Sequence, residues 1–477
     1  MMDGTVTQTL ARFVAKSTFD DLPQDVAHET KRILLDVIGC ALGSNGLAKG
    51  RIAIAYARQI GGAPEATILG TRERAPAALA AFANAELIHT MDFCPLLPPS
   101  HIAPFVTAPA MVFAEAKRAP GKNLIAAVAI AHEVASRVGL SLDPMRVKAG
   151  GLVAPSWGLS FDQFGATAGA AKILNLDETT VSDALGLAGY FAPVPSHNKF
   201  LNSPHGGGLA KYGPAGWTAQ GGVTCALLAS MGYEGDRTVL DGDYGFWAMV
   251  GSKNSDIGKI VNGLGETWNL RLAMYKRWPC SGHFQAPVGT FAKIVADNDL
   301  RPDEIEAVLI KNEGQSMLAK FTFRELRNHI DAQTNLPYHI AMIAHRIEGS
   351  PAWQADENMN NPTVRAFMNK VTVEAYDRAE ETRYQELVVE RRPYIDRRPC
   401  FVEVTARGKK FSEAGEYAYW LSTGNPAYRA SDGDLANKFR RNAERTLPPA
   451  KIDRAIDRIM NLEKLGNSAE LFEELVP

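Results

Sequence analysis

Charge of one sign is missing as an organising feature of this chain. Its 51 Lys and Arg stand against 53 Asp and Glu, for a formal net charge of -2 at pH 7. No overall basic field is present to hold nucleic acid or an anionic membrane surface. Cysteine is also sparse. The five cysteines, Cys40, Cys94, Cys225, Cys280 and Cys400, include no CxxC pair and are odd in number. This argues against a disulfide framework and a structural zinc site, and fits a reducing cytoplasm. Long apolar runs are absent as well. Leu124 to Ala131 is too short to cross a bilayer, and Met1 to Phe19 carries Asp3 and no long apolar core, so neither a membrane span nor a signal peptide is expected. The chain has no GxGxxG after a strand, no GxxxxGK[ST], no HExxH and no GxSxG. The run Gly206-Gly207-Gly208 follows no strand, and His329 and His339 lack metal-ligand spacing on one helix face. Nothing in the sequence requires a nucleotide or a metal.

What is present suggests two domains, because 477 residues exceed one ordinary core. Val26, Ile33, Leu34, Val37, Ile38 and Leu42 recur at helical spacing. Further helices are predicted over Ala75 to Leu87, Phe105 to Lys117, Leu124 to Gly139, Thr180 to Tyr190 and Gly221 to Met231. Gly165 to Leu176 is rich in small residues and predicts a buried helix with close neighbours. No convincing strand alternation occurs before about residue 265. Strands are then predicted at Glu306 to Lys311 and Val371 to Glu374. A hairpin is predicted from Phe401 to Ser412, turning at Arg407-Gly408-Lys409. Helices intervene at Tyr338 to Ile347 and Pro362 to Lys370. Amphipathic helices at Leu435 to Leu447 and Ile452 to Leu462 close the chain. The fold class is therefore mainly α with an α+β unit: a helical domain over 1–268, an α+β domain over 269–422, and last helices over 423–477 that return to the helical domain.

Four segments carry groups suited to chemistry. His89, Asp92 and Cys94 lie with His101 on a proline-rich stretch between two helices, and such loops collect reactive groups. Lys211 stands near glycines before a helix, beside a glycine-rich stretch that suits a mobile lid. A surface lysine beside a flexible loop would look the same. Lys276 and Arg277 precede Pro279, Cys280 and His283 at the domain junction, where pockets form. A basic linker is the plainer reading. Pro337 opens a helix, which places Tyr338 near its N-terminal end. A core tyrosine under a helix start fits equally.

Together these segments resemble the MmgE/PrpD family. The resemblance runs through Leu35 to Gly39, Asn84 to His101 with Pro109-Ala110 and Ala114 to Ala116, Gly165 to Lys172, Lys211 to Gly235, Lys276 to His283, Asp331 to Tyr338, and Gly424 to Pro426 with Lys438-Phe439, nearly the whole chain. The family includes 2-methylcitrate dehydratase, cis-aconitate decarboxylase and iminodisuccinate epimerase. It implies a large all-helical domain, built from the N-terminal part and the last helices, with a smaller α+β lid inserted between them. It also implies a homodimer without metal or organic cofactor, acting on a small carboxylate. By motif position it makes Asp92, His101, Lys211, Lys276 and Tyr338 catalytic. Arg277, His283, Ser156 and Cys94 are candidate substrate-binding residues. Cations among these would hold carboxylates and stabilise an enolate, and a histidine would carry the α-proton.

Departures from the family pattern bear on substrate. Cys94, Pro95 and Leu96 stand where the family carries two more acids and a Thr. Ser156-Trp157 falls where it has a second pocket histidine, and Pro214 replaces another. A pocket with fewer polar groups points away from 2-methylcitrate and cis-aconitate, towards a carboxylate with an apolar or bulkier portion. The reading is a hydro-lyase, with an epimerase or isomerase as its alternative. A catalytically dead ligand-binding homologue and a decarboxylase are the remaining readings.

Overall fold

Helix α1 (Gln24–Ser44) is buried along most of its length because apolar and small residues cover nearly all its faces. The computed structural model describes residues 4–143, 146–148, 151–153, 159–203 and 208–477. Against α1 pack α2 (Ala77–Thr90), α3 (Ala103–Ala116) and α4 (Gly121–Ser141), and α5 (Asp162–Ile173) and α6 (Ala215–Ser230) pack on these in turn. The small residues of α5 set the packing. A Cβ at Gly165 would lie 2.4 Å from the Ala131 carbonyl oxygen of α4, so only glycine admits this approach. Helix α4 spans 21 residues and is apolar enough to cross a membrane, but 94% of its apolar window is covered by protein. It also carries the buried Arg137–Glu133 pair at 2.6 Å.

The second unit begins with α7 (Gln285–Asp297) and contains α8 (Leu336–Ala344). Its sheet holds β1 (Ile305–Asn312), β2 (Val371–Ala375), β3 (Arg397–Ala406) and β4 (Lys409–Tyr417), in the order β2-β1-β3-β4. Strands β1 and β2 pair parallel, with Val308 opposite Val371, so helices must cross between them. The other pairings are antiparallel, and Val404 of β3 faces Val308 of β1 and Phe411 of β4. Alternate burial along β3 puts Val402, Val404 and Ala406 into this unit's core.

Helices α9 (Asp432–Ala443) and α10 (Pro449–Met460) return to the first unit. The core of that unit runs from Val6 to Tyr275 and resumes at Trp420, with Ile330 added from the second unit. Gly39 of α1 lets α9 approach, since a Cβ there would meet the Phe439 backbone at 3.2 Å. The buried Lys438–Asp36 pair, 2.6 Å apart, fixes the register of the two helices.

The mainly α architecture with a small mixed sheet agrees with the fold class read from the sequence. Two features differ. Short strand pairs occur at 66–67 with 74–75 and at 146–148 with 151–153, inside the stretch read as purely helical. These strands have two or three residues, too few for period-2 alternation to register. The hairpin strands also reach Arg397 and Tyr417, beyond the predicted Phe401 to Ser412. Ladder pairing carries the polar ends along.

Candidate active site

Helix α2 ends at Thr90, and the chain then turns through Asp92 with φ 55°. This left-handed conformation is uncommon outside glycine, although Asp tolerates it better than most residues. The second unit holds the turn in place. Gln333 Nε2 donates to the Thr90 carbonyl at 2.5 Å, and Gln354 Nε2 donates to the Met91 carbonyl at 2.7 Å. Lys211, just before α6, is also left-handed at φ 56°. The two bends direct their side chains at each other.

The Asp92 carboxylate therefore sits in a buried cationic cage. Lys211 Nζ lies 3.3 Å from Oδ1 and Lys276 Nζ 3.1 Å from Oδ2. Tyr212 donates its hydroxyl to Oδ1 at 2.9 Å. The lysines spend further protons on backbone, Lys211 on the His89 carbonyl at 2.9 Å and Lys276 on the Asp92 carbonyl at 2.7 Å. Lys276 is 0% exposed and Lys211 1% in their side chains. Burial pushes the Asp92 carboxyl up, but Lys211 and Lys276 more than reverse this and hold it well below the usual carboxylate range. Burial brings the Lys211 ammonium down to about 8, against the opposing pull of Asp92. With Asp92 and both lysines ionised, the cage carries one net positive charge.

His101 joins this cage to a cavity of about 150 Å³ between the two units. Its Nδ1 is buried, has no hydrogen-bond partner and stands 4.0 Å from Asp92 Oδ1. That orientation leaves Nε2 as the nitrogen available to a ligand. The side chain keeps 19% exposure and lines the cavity, which neither lysine does. Burial, followed by Lys276, drives the imidazole well below its ordinary value, so it is neutral near pH 7. Its ring packs against Tyr212, whose other neighbours include His89 and His197. Leu96, Leu97, Met274, Leu387 and Ile395 form much of the cavity wall, so the apolar Leu96 does face the cavity.

The structure thus brings Asp92, His101, Lys211 and Lys276 together and leaves other candidates apart. Tyr338 begins α8 under the Asn335 cap, but its hydroxyl donates to the Trp353 carbonyl at 2.6 Å within the second core. It does not reach the cage. Arg277 is exposed on another face, with its guanidinium over the rings of Trp278, Tyr419 and Trp420. It does not line the cavity. Cys94 is buried beside the cage, away from the cavity surface, and burial pushes its thiol up to about 11. Cys280 is buried near Gln285 Nε2, 3.1 Å from its sulfur, and also stays off the cavity. His283 does line the cavity, but its Nδ1 is engaged by Glu313, which Arg383 also holds at 2.6 Å. Ser156 lies outside the described residues. Among the described residues no group of three or more His, Cys, Asp or Glu is placed to hold a metal ion.

Several contributors were not singled out from sequence. Tyr212 follows Lys211 directly and Gln333 lies in the Asp331 to Tyr338 segment, so both motifs contained the signal. Lys49 reaches His89 Nδ1 at 3.1 Å and Glu86 at 2.8 Å. Glu86 in turn accepts from Gly216 N at 2.7 Å, near the start of α6. An isolated lysine and glutamate on two helices give no sequence signal for this.

The MmgE/PrpD N-terminal domain matches residues 8–256, and the MmgE/PrpD C-terminal domain matches residues 278–463. The chain is 25% identical to human cis-aconitate decarboxylase, over 99% of this chain and 94% of that one. The mouse cis-aconitate decarboxylase is 24% identical, over 99% and 93%. That of Aspergillus terreus is 24% identical, over 77% and 78%.

Proposed function

The chain belongs to the MmgE/PrpD family, and on that premise we propose that it is a lyase that removes an α-proton from a small hydroxy-carboxylic acid and expels water. The observation that carries this reading is His101: a neutral imidazole on the cavity wall with a net cationic cage behind it. A neutral imidazole is a base. Its Nε2 takes the proton on the carbon next to the carboxylate, and the C–H electron pair moves towards that carboxylate as an enolate. Lys211 and Lys276 stabilise the developing negative charge through their field without touching the ligand, which is effective in a buried site. Collapse of the enolate forms the carbon–carbon double bond and breaks the C–O bond. The imidazolium returns its proton to the departing hydroxyl, so water leaves and His101 is neutral again.

Decarboxylation is the second reading, supported by the names of the relatives. It requires a proton donor to quench the carbanion left by CO₂, and a histidine depressed this far is poorly protonated near neutral pH. Epimerisation would use the same first step and return the proton to the opposite face. NMR product analysis on citramalate, malate and cis-aconitate separates dehydration from decarboxylation. Unsaturated acid from the hydroxy-acids supports dehydration. Release of CO₂ from cis-aconitate, with the hydroxy-acids untouched, would replace it by the second reading.

A further inference from the structure

The lysines of the cage are spent on Asp92 and on backbone carbonyls, so a carboxylate entering the cavity must find its cation elsewhere. Arg398, at the start of β3, lines the same cavity. Its Nε is buried without a hydrogen-bond partner, and among the described residues its guanidinium makes no ion pair. The nearby carboxylates are already taken. Glu313 binds Arg383 and His283, Glu386 binds Arg397 at 2.9 Å, and Asp396 accepts from Ser422, Thr423 and Gly424. Leaving a buried guanidinium N–H unpaired is costly, and a carboxylate is the best-matched bidentate partner of a guanidinium.

We propose that Arg398 is the substrate's carboxylate anchor and that the ligand is a dicarboxylate with an apolar middle. One carboxylate pairs with Arg398 on the lid. The other lies at His101, where the field of the cage favours its enolate, and the connecting carbons rest on Leu96, Met274 and Ile395. This rests on the proton-abstraction reading for the His101 end, but the anchoring itself is tested by binding alone.

The probes are citraconate and angelate, which differ in one carboxylate replaced by methyl. Calorimetric titration is made on wild type, Arg398→Met, Arg398→Lys and His101→Asn, each with its thermal melt. Wild type should bind citraconate at least tenfold more tightly than angelate. Arg398→Met should weaken citraconate by about tenfold to a hundredfold and leave angelate unchanged. Arg398→Lys should recover part of the loss, and His101→Asn should retain the preference while losing turnover. An unaltered preference in Arg398→Met, or no preference in wild type, overturns the anchor. Neither result touches the proton-abstraction reading, which fails separately if His101→Asn still turns substrate over.

Discussion

The Asp92 carboxylate and the Lys211 ammonium meet at 3.3 Å, and both residues reach that contact from left-handed backbone, at φ 55° and 56°. Each bend costs on the order of 1–3 kcal/mol and persists only where its surroundings hold it. Here the holders are the Gln333 and Gln354 amides on one side and the Tyr212 hydroxyl on the other. The cage is a preorganised unit whose charges were desolvated on folding, which allows it to act on a developing enolate without reorganising.

Removing the central charge should therefore be expensive. Asp92→Asn leaves Lys211 and Lys276 as like charges in a buried site. It should lower stability by about 3–5 kcal/mol in urea unfolding. Adding Lys276→Met should recover part of the loss, because one uncompensated ammonium is gone. A cost below about 1 kcal/mol would show that the cage is not held by charge.

The pH dependence follows from His101 and Lys211. His101 lies well below its ordinary value, so the base form persists at mildly acidic pH and the acid limb should fall well below 6.5. Lys211 is brought down to about 8, so its charge, and with it part of the enolate stabilisation, is lost as pH rises through that value. A profile of kcat/KM should form a plateau with an alkaline fall near pH 8. An alkaline limb near the ordinary lysine value would contradict the placement of Lys211.

Tyr338 separates structural from chemical importance. Its hydroxyl serves the Trp353 carbonyl inside the second core. Tyr338→Phe should cost about 1 kcal/mol of stability and change kcat less than twofold. A fall in kcat of a hundredfold at unchanged stability would return the hydroxyl to the chemistry.

Gly165 tests the packing that carries the site's scaffold. An added methyl would stand 2.4 Å from the Ala131 carbonyl oxygen. Gly165→Ala should destabilise by about 1–3 kcal/mol through forced separation of α4 and α5. Neutral thermal stability would contradict the close approach.

Much of this was legible in the sequence because its signals are local. Val402, Val404 and Ala406 alternate along β3, and small residues mark α5, so strand and buried helix could be read from neighbours in the chain. Motif positions also led to Asp92, His101, Lys211 and Lys276. What stayed hidden depends on direction and pairing across the chain. Sequence spacing does not show that the lysines turn inward to Asp92 rather than outward to a ligand. Arg277 and Arg398 both sit among other charges in sequence, yet one lies over aromatic rings at the surface and the other lines the cavity. Tyr338 has its predicted position at a helix start, but the partner of its hydroxyl, Trp353, is set by the tertiary fold.

The most direct test of the central claim, that His101 is the base facing the ligand, is deuterium entry at the CH₂ beside a carboxylate of citramalate and malate in D₂O, followed by NMR for wild type and His101→Asn. Wild type should exchange at least one of these acids. His101→Asn should exchange it slower by about a hundredfold to ten-thousandfold, with its fold and its citraconate binding intact. Equal exchange in both proteins would contradict the account and move the proton transfer to another group of the cavity.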